Sequence, residues 1–326
     1  MKAHKLYCIG HITLDKIVTP KQTVHMPGGT AFYFSKAINN FEDIDFSLLT
    51  AVGESEMHEV DKLRATGIDI SVIPSRHSVC FENIYGENQD NRTQRVSAEA
   101  DPFTVDYLKD IKASYILLGS LLANDFSLEV LKYLSEKSLI AIDVQGFLRE
   151  VRDGNVYAVD WKDKLEALKY IHVLKANEHE MEVLTGFSDV KSAAKQLYDW
   201  GVKEALITLG SLGSVIYDGN TYYKIPAYKP KEAVDATGCG DTYVTGYLYR
   251  RAKGDDIEKS GQFAAAMSTL KLERSGPFSG SKEDIIQCMR TAEQRLPVID
   301  SMEEIDRTEQ VHASCRQEKR EMTGNI

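Results

Sequence analysis

The segment 235–241, of sequence D-A-T-G-C-G-D, has the residue types of an anion site beside a general base. A helical pattern, TYVTGYL, begins directly after it at residue 242. Glycines let backbone N–H groups approach an anion closely, and a helix N-terminus favours negative charge. A purely structural glycine turn would not predict the carboxylate of Asp241 after the second glycine. The segment therefore favours transfer of a phosphoryl group to a hydroxyl, with Asp241 as candidate base.

Asn177 and Glu180 form an N-x-x-E pattern that follows the apolar run 171–174. In open α/β sheets, ligands bind outside the carboxyl ends of the strands, so this position suits a binding site. Two interpretations stay open. The pair could form a capping box at the start of a helix, or its oxygens could hold the waters of a Mg²⁺ ion and nucleotide phosphates.

Thr208, Gly210 and Gly213 form a T-x-G-x-x-G pattern at the end of the apolar run 205–210. Alone, this pattern is explained in most proteins by a strand, a glycine turn and a second strand. It carries weight only together with the other signals, which it follows in chain order.

Three isolated polar residues also follow predicted strands: Asp15, Asp143 and Arg149. Arg149 could reach a phosphate, although a surface ion pair is the more common role of a single arginine. Asp15 follows the first strand and by itself says little about function.

Strand and helix patterns alternate through the middle of the chain. The apolar runs are nearly continuous, which is typical of parallel strands covered by helices on both faces. Helices are predicted to dominate from residue 241 to 296. The predicted strands are 6–9, 46–53, 115–119, 139–143, 171–174 and 205–210, and the predicted helices between them are 30–41, 128–134, 178–184 and 190–200.

Two other stretches, 12–26 and 79–95, mix β-forming residues with polar ones. Each reads as an exposed hairpin, because turn residues interrupt a loose alternation of apolar and polar side chains. Together they predict a small second sheet away from the main one.

The composition limits the class of protein. The chain has 326 residues with 43% hydrophobic and 27% charged residues, enough for one large α/β domain or two smaller ones. A net charge of −10 argues against a broad nucleic-acid surface. We also expect no membrane insertion, because no run approaches the ~18 apolar residues that a spanning helix needs.

The cysteines and the terminal segments carry further expectations. The five cysteines are scattered, odd in number and without a C-x-x-C pair, which argues against a zinc site or disulfide framework and favours a reducing cytoplasm. The N-terminus has too few apolar residues for a signal peptide. Residues 298–326 are predicted to be a charged helix or tail.

The ordered set of motifs resembles the PfkB (ribokinase-like) family of carbohydrate and nucleoside kinases over about residues 5–295. The closing family signature D-T-x-G-A-G-D is matched by segment 235–241, with departures at Ala236 and Cys239. The resemblance implies a three-layer α/β/α sandwich with a mostly parallel central sheet and a small β-sheet lid. The kinase domain would cover 1–297, with the lid formed by about 12–27 and 79–97.

The resemblance also implies roles for the motif residues. Asp241 would be the base, and the backbone N–H groups of Gly238, Cys239, Gly240 and Asp241 would stabilise the transferred phosphoryl group. ATP would be the donor, with Mg²⁺ held through water. The remaining implied roles are ATP and Mg²⁺ binding by Asn177, Glu180, Thr208, Gly210 and Gly213, and binding of a monovalent cation such as K⁺ by Asp235.

The acceptor is a small polyol by resemblance, and its identity stays open. Tyr33 stands where ribose-binding members have asparagine, and the stretches 79–83 and 141–149 resemble the inositol-kinase branch. A myo-inositol-like cyclitol is the leading hypothesis; fructose, ribose-like sugars and nucleosides are alternatives. A homodimer through the lid is a further expectation. The implied acceptor-binding residues are Asp15, Gly28, Gly29, Tyr33, Asp143 and Arg149.

Two functions of other classes compete with this one. A ligand sensor that kept the fold without catalysis is disfavoured by the intact Gly238, Gly240 and Asp241. A dinucleotide-binding oxidoreductase is disfavoured because no G-x-G-x-x-G follows the first strand.

Overall fold

A computed structural model describes residues 4–18, 23–85 and 92–290 of the chain. The predicted tail 298–326 and parts of the predicted lid lie outside these residues. Within them, the structure has fifteen strands and nine α-helices. The strands are β1 His4–Gly10, β2 Thr13–Val18, β3 Thr23–Gly28, β4 Phe46–Val52, β5 Ile70–Pro74, β6 Cys80–Tyr85, β7 Arg92–Ala98, β8 Ala113–Gly119, β9 Leu139–Asp143, β10 Arg149–Arg152, β11 Asn155–Ala158, β12 Val173–Asn177, β13 Glu204–Thr208, β14 Ser214–Tyr217 and β15 Tyr222–Ile225. The α-helices are α1 Thr30–Ile38, α2 Met57–Arg64, α3 Leu128–Ser135, α4 Lys164–Ala167, α5 Glu178–Thr185, α6 Val190–Asp199, α7 Cys239–Ala252, α8 Ile257–Leu272 and α9 Lys282–Arg290.

Nine strands form the central sheet in the order β15-β14-β13-β12-β9-β8-β1-β4-β5. The pairs from β13 to β5 are parallel, and only β14 and β15 at one edge pair in the antiparallel sense. Strands such as β8 are apolar on both faces, with Ile116, Leu117 and Leu118 almost fully buried. The observed pairings confirm the predicted mostly parallel sheet. Strands that are apolar on both faces need a helical layer on each side of the sheet.

Helices cover both faces of this sheet and give three layers. Side chains of α3, α5 and α6 pack into one core cluster with Ile116 and Leu118. Side chains of α1, α7, α8 and α9 pack into the other with Tyr115 and Leu117. The alternation of neighbouring residues between two cores follows from the two-residue period of a strand. The predicted three-layer α/β/α arrangement is confirmed.

A second sheet has six strands in the order β10-β11-β7-β6-β2-β3. The two predicted hairpins are β2–β3 and β6–β7, and they join through the parallel pair β2–β6. The third hairpin, β10–β11, was not predicted, because its strands are only four residues long and β10 is rich in charge. Its two-residue turn, Asp153-Gly154, has positive φ at both residues, and a D-G turn of this kind is a known hairpin signal.

Several predicted boundaries differ from the observed ones. The predicted strand 171–174 is observed as β12 at residues 173–177, because the polar residues at its end still continue the parallel ladder with β13. The predicted helix 30–41 ends at Ile38. No helix in the described ranges is long and apolar enough to cross a membrane.

A buried charge network fixes α7 against the central sheet. Glu204 of β13 accepts a hydrogen bond of 2.6 Å from the hydroxyl of Tyr247 and pairs with the guanidinium of Arg251. Burial alone would raise the pKa of Glu204, but hydrogen bonds from His172, Arg251 and Tyr247 lower it to about 2. The carboxylate is therefore ionised and anchors α7, whose first turn carries Cys239, Gly240 and Asp241, the end of segment 235–241.

Candidate active site

A cavity of about 610 Å³ lies between the central sheet and the second sheet, at the carboxyl ends of β9, β12 and β13. Polar side chains of both sheets face it, as expected for ligand binding in an open α/β fold. Most of the site residues predicted from the sequence meet here. Those that line the cavity are Asp15, Gly29, Tyr33, Asp143, Arg149, Asn177, Thr208, Gly210, Gly238, Gly240 and Asp241.

The first turn of α7 has the geometry of an anion site. Gly238 is the N-cap residue with φ 76°, and a Cβ there would lie 2.3 Å from Cδ1 of Tyr33. A Cβ at Gly240 would lie 3.0 Å from Nζ of Lys175. Gly238 is therefore required both for the close packing of Tyr33 and for its backbone conformation, and Gly240 leaves room for the ammonium of Lys175. N–H groups in the first helical turn have no partner within the helix and point outward.

Cys239 departs from its predicted role in the anion site. Its backbone N–H donates to the carbonyl of Ala236 at 3.1 Å. Its thiol contacts the carbonyl oxygen of Ser268 at 3.8 Å. In this conformation the N–H group of Cys239 is used within the turn, and the N–H groups of Gly240 and Asp241 are the remaining donors of the first helical turn.

The Asp241 carboxyl is tuned towards neutral pH. Burial raises its pKa from 3.8 to about 6, and the negative charge of Asp143 adds to the effect. A hydrogen bond from Thr30 and the positive charge of Lys175 act in the opposite direction. A base with a pKa near the working pH is well matched to proton transfer.

Thr30 was not predicted as a site residue. It is the first residue of α1 and lines the cavity. Its side chain lies against Gly119, where a Cβ would be 2.7 Å from Cβ of Thr30. The glycine at the end of β8 therefore leaves the space that Thr30 needs to reach Asp241. The only signal in the sequence was its place directly after Gly28-Gly29.

Lys175 is a second site residue that was not predicted from the sequence. Its ammonium lies 2.9 Å from Oδ2 of Asp143 and 3.6 Å from Oε2 of Glu180, and all three side chains are buried. Burial alone would lower the pKa of Lys175, but the carboxylates of Asp143 and Glu180 raise it. This fixed positive charge lies beside Gly240. A lysine inside an otherwise apolar strand was the available signal.

Asn177 and Glu180 form the capping box that the sequence left open. Oδ1 of Asn177 accepts from the N–H of Glu180 at 2.9 Å, and Oε2 of Glu180 accepts from the N–H of Asn177 at 2.8 Å. Asn177 lines the main cavity, while Glu180 lines an adjoining one. The capping role is thus observed, and a role towards Mg²⁺ stays a prediction.

The described residues contain no group of three or more His, Cys, Asp or Glu side chains placed to hold a metal ion. Mg²⁺ keeps several waters and is often bound by one or two protein groups together with substrate phosphates. The residues present fit that mode, with Asn177 on the main cavity and Glu180 on the adjoining one as candidate oxygen donors. They do not form a dedicated metal cage.

A second, mostly apolar cavity of about 380 Å³ adjoins the anion site. Thr208, Gly210 and Gly213 line it together with the side chains of α7 and α8. Gly213 has φ 95°, and a Cβ there would lie 2.1 Å from the carbonyl oxygen of Ile225, so only glycine fits this turn. The cavity meets the main one at Thr208, Gly210 and Gly240. Its walls suit a flat apolar group joined to an anion.

Asp235 does not have the surroundings of a free cation ligand. Its Oδ2 lies 3.2 Å from Nζ of Lys271, and its Oδ1 accepts from the N–H of Thr237 at 2.9 Å. Burial raises the pKa of Asp235, but these hydrogen bonds and the charge of Lys271 lower it overall. The predicted site of a monovalent cation is thus taken by a lysine ammonium.

The far end of the main cavity is lined by the second sheet. Asp15 of β2, Asn83 of β6 and Gln94 of β7 face it, and Nε2 of Gln94 donates to Oδ1 of Asn83 at 3.0 Å. Asn83 and Gln94 were not among the predicted site residues. Their role arises because antiparallel pairing sets them opposite each other.

The two early glycines shape this end differently. A Cβ at Gly28 would lie 2.7 Å from Oδ2 of Asp15, so Gly28 makes room for that carboxylate. Gly29, with φ 85°, is the N-cap of α1 and lines the cavity. Arg149 begins β10 and lines the same cavity, so it lies on the second sheet and not only after β9, as the sequence suggested.

The arrangement belongs to the class of enzymes that move a phosphoryl group onto a hydroxyl. It joins an anion site at a helix N-terminus, a carboxyl of near-neutral pKa, an apolar cavity on one side and a polar chamber on the other. The chain belongs to the pfkB family of carbohydrate kinases, whose profile matches residues 3–284.

Similar proteins agree with this class. A cytidine kinase from Thermococcus kodakarensis is 28% identical over 286 residues, covering 84% of this chain and 98% of its own. A pyrophosphate-dependent kinase of the ribokinase family, solved with a pyrophosphate analogue and myo-inositol, is 26% identical with a TM-score of 0.76, covering 86% of this chain and 99% of its own.

A third similar structure bears on selectivity. It is a pyrophosphate-dependent myo-inositol-1 kinase that was converted into a myo-inositol-3 kinase by replacing one asparagine and one serine with leucine. It is 25% identical, with a TM-score of 0.75, and the match covers 87% of this chain and 98% of the other.

The predictions of family, fold and reaction class are therefore confirmed. The chain is a sugar or nucleoside kinase of the ribokinase family, a phosphotransferase with a hydroxyl acceptor.

Proposed function

We propose that the protein phosphorylates a hydroxyl of a small cyclitol, of the myo-inositol type, with ATP as the donor. The observation that carries the proposal is the polar chamber formed by Asp15, Asn83, Gln94 and Arg149 at the end of the cavity that contains Asp241. A cyclitol exposes hydroxyls around its whole ring, so a chamber with polar groups on several strands suits it.

In the proposed reaction, Asp241 accepts the proton of the acceptor hydroxyl. The oxygen then forms a bond to the terminal phosphorus of the donor, and the bond from that phosphorus to the bridging oxygen breaks, releasing ADP. Thr30 orients the carboxylate. The N–H groups of Gly240 and Asp241 and the ammonium of Lys175 stabilise the charge on the phosphoryl group during transfer.

Mg²⁺, when bound with the donor, would neutralise phosphate charge, and Asn177 and Glu180 would hold it through water. The protein's own part is to orient the reacting groups and exclude water. Closure of the second sheet over the acceptor would serve that exclusion.

The apolar cavity supports a nucleotide donor. Tyr243, Ala265 and Leu272 contribute to its walls, and pyrophosphate alone would leave this surface unfilled. Adenine would bury apolar area there, with a gain of about 25 cal/mol per Å². Pyrophosphate, the donor of the similar solved structure, is the alternative donor and must be included in the test.

The selectivity of the similar inositol kinase supports the cyclitol. The two positions replaced in that protein are eleven residues apart, as Asn83 and Gln94 are in this chain. Here both side chains are polar and hydrogen-bonded to each other. We therefore assign to this pair the choice of which ring hydroxyl faces Asp241.

A nucleoside is the second candidate acceptor. The cytidine kinase similarity extends over 98% of that protein, and Phe81 in the chamber could stack on a base. Fructose and ribose-like sugars are further alternatives within the same family.

One assay separates these candidates. Release of ADP from ATP, and of phosphate from pyrophosphate, should be measured with myo-inositol, fructose, ribose, cytidine and other nucleosides. We expect the highest kcat/KM for myo-inositol with ATP. Strong turnover of a nucleoside with none of inositol would reject the cyclitol, and turnover with pyrophosphate only would reject the donor.

The same screen tests the non-catalytic alternative. A sensor would show an increased melting temperature with a ligand but no product with any acceptor or donor. In that case the Asp241→Asn variant would bind the ligand as the wild type does.

A further inference from the structure

Lys271, near the end of α8, has its side chain fully buried among oxygen atoms. Its ammonium donates to the carbonyl of Asp235 at 2.7 Å and to the carbonyl of Arg274 at 3.4 Å. It also lies 3.2 Å from Oδ2 of Asp235. A buried charge surrounded by two backbone carbonyls and a carboxylate is paired and hydrogen-bonded on several sides.

These oxygens belong to the segments that hold the anion site. Asp235 begins segment 235–241, and its N–H donates to the carbonyl of Leu272 at 3.1 Å. One turn earlier on α8, the hydroxyl of Ser268 donates to the carbonyl of Cys239 at 3.0 Å. Helix α8 therefore holds the loop both before and after Gly238.

The fold family implies a dissociable monovalent cation at this point, and the residues present do not fit one. The ammonium already contacts the carboxylate and the carbonyl of Asp235. The Asp235 carboxylate also accepts two backbone N–H groups. Oδ1 accepts from Thr237 at 2.9 Å, and Oδ2, the oxygen beside the ammonium, accepts from Gly276 at 3.3 Å. A second cation in contact with a buried ammonium would also be strongly repelled.

We infer that Lys271 is a built-in cation. It takes the place of a dissociable monovalent ion, fixes the loop that presents the backbone N–H groups of the anion site, and makes the kinase independent of K⁺. An ammonium is a compact point charge close in size to K⁺, so it suits this position better than a guanidinium would. The inference rests on the phosphotransferase activity of the family and not on the identity of the acceptor.

The test compares wild type with Lys271→Met, which keeps much of the side-chain volume and removes the charge. Kinetics should be measured in tetramethylammonium chloride and in KCl at equal ionic strength. The matched control is Lys259→Met, which lies on the same helix with a side chain that is 68% exposed.

We expect kcat of the wild type and of Lys259→Met to change less than twofold with K⁺. We expect Lys271→Met to lose at least tenfold in kcat without K⁺ and to regain part of it with K⁺ or NH₄⁺. A lysine with a merely structural role would not produce this rescue by a free ion.

Melting temperature gives a readout that does not depend on the acceptor. K⁺ should raise the melting temperature of Lys271→Met specifically and leave wild type and Lys259→Met unchanged relative to tetramethylammonium. If no acceptor is turned over, or if Lys271→Met does not fold, the effect of K⁺ on the melting temperature of the wild type still tests the inference. Activation of the wild type by K⁺, or a K⁺-specific stabilisation of it, would overturn the inference, as would full activity of Lys271→Met without K⁺.

Discussion

Replacing Asp241 by asparagine should lower activity and raise stability, and the second effect should depend on pH. The wild-type carboxyl has a pKa of about 6 against an ordinary value of 3.8, chiefly because it is buried. A carboxyl of raised pKa stabilises the folded state only while it is protonated. This contribution is fully present below pH ~4 and is lost as the pH rises through about 6.

The size of the effect follows from the shift. Each pKa unit corresponds to about 1.4 kcal/mol, so a shift of about two units gives about 3 kcal/mol at neutral pH. Partial solvent contact of Asp241 reduces this, and we expect a gain of about 1–3 kcal/mol for Asp241→Asn at pH 7–8. Asparagine resembles the protonated carboxyl, so the two proteins should be about equally stable near pH 4.

The assay is urea unfolding at pH values from 4 to 8. Asp153→Asn is the matched control, because it makes the same chemical change at an exposed turn residue. In parallel, wild-type kcat/KM should fall about tenfold per pH unit below pH ~6 as Asp241 becomes protonated. For Asp241→Asn, kcat should be about 10²–10⁴ lower than that of the wild type at pH 7–8, and the difference should shrink below pH ~6.

Two results would refute the reasoning. A stability difference that stays constant from pH 4 to 8 would mean that the carboxyl is not held at a raised pKa. Near-normal kcat in Asp241→Asn would mean that another group accepts the proton.

Two further substitutions test the shape of the site. Gly238→Ala places a Cβ 2.3 Å from the ring of Tyr33 at a residue with φ 76°. We expect the variant to lose about 1–3 kcal/mol of unfolding free energy, measured by urea unfolding, and at least tenfold in kcat, measured by steady-state kinetics. Unchanged kinetics would show that the turn tolerates a side chain. Replacing both Asn83 and Gln94 by leucine should change which acceptor hydroxyl is phosphorylated, as determined by NMR of the product. Ser97→Leu, on the exposed surface of β7, should leave the product unchanged. An unchanged product from the double variant would show that this pair does not select the hydroxyl.

The main elements could be predicted because their signals are local. The parallel strands are continuous apolar runs such as β8, and segment 235–241 carries its glycines and carboxylate within seven residues. Short strands with charged residues, such as β10, gain their stability from pairing with a neighbouring strand, and a single stretch of sequence does not show that neighbour. The end of β12 was misplaced for the same reason.

The missed site residues share another cause. Thr30 and Lys175 lie 211 and 66 positions from Asp241 in the chain, and both lower its pKa. Their local sequence does not indicate that they contact Asp241. Asp235 was predicted to bind a monovalent cation, and its observed cationic neighbour is Lys271, brought there by the packing of α8. The sequence shows which residue types are present, while the partner of each charge depends on tertiary contacts.

The second sheet has a consequence for folding. Its six strands come from three separate stretches of chain, 13–28, 80–98 and 149–158, interleaved with strands of the central sheet. Contacts between such distant stretches carry a high loop-closure entropy, so they form slowly until other structure brings them together. We expect the central sheet to act as the template and the acceptor chamber to appear last, as late amide protection in pulsed hydrogen exchange. The part of the molecule that selects the acceptor would then depend on the rest of the fold for its formation.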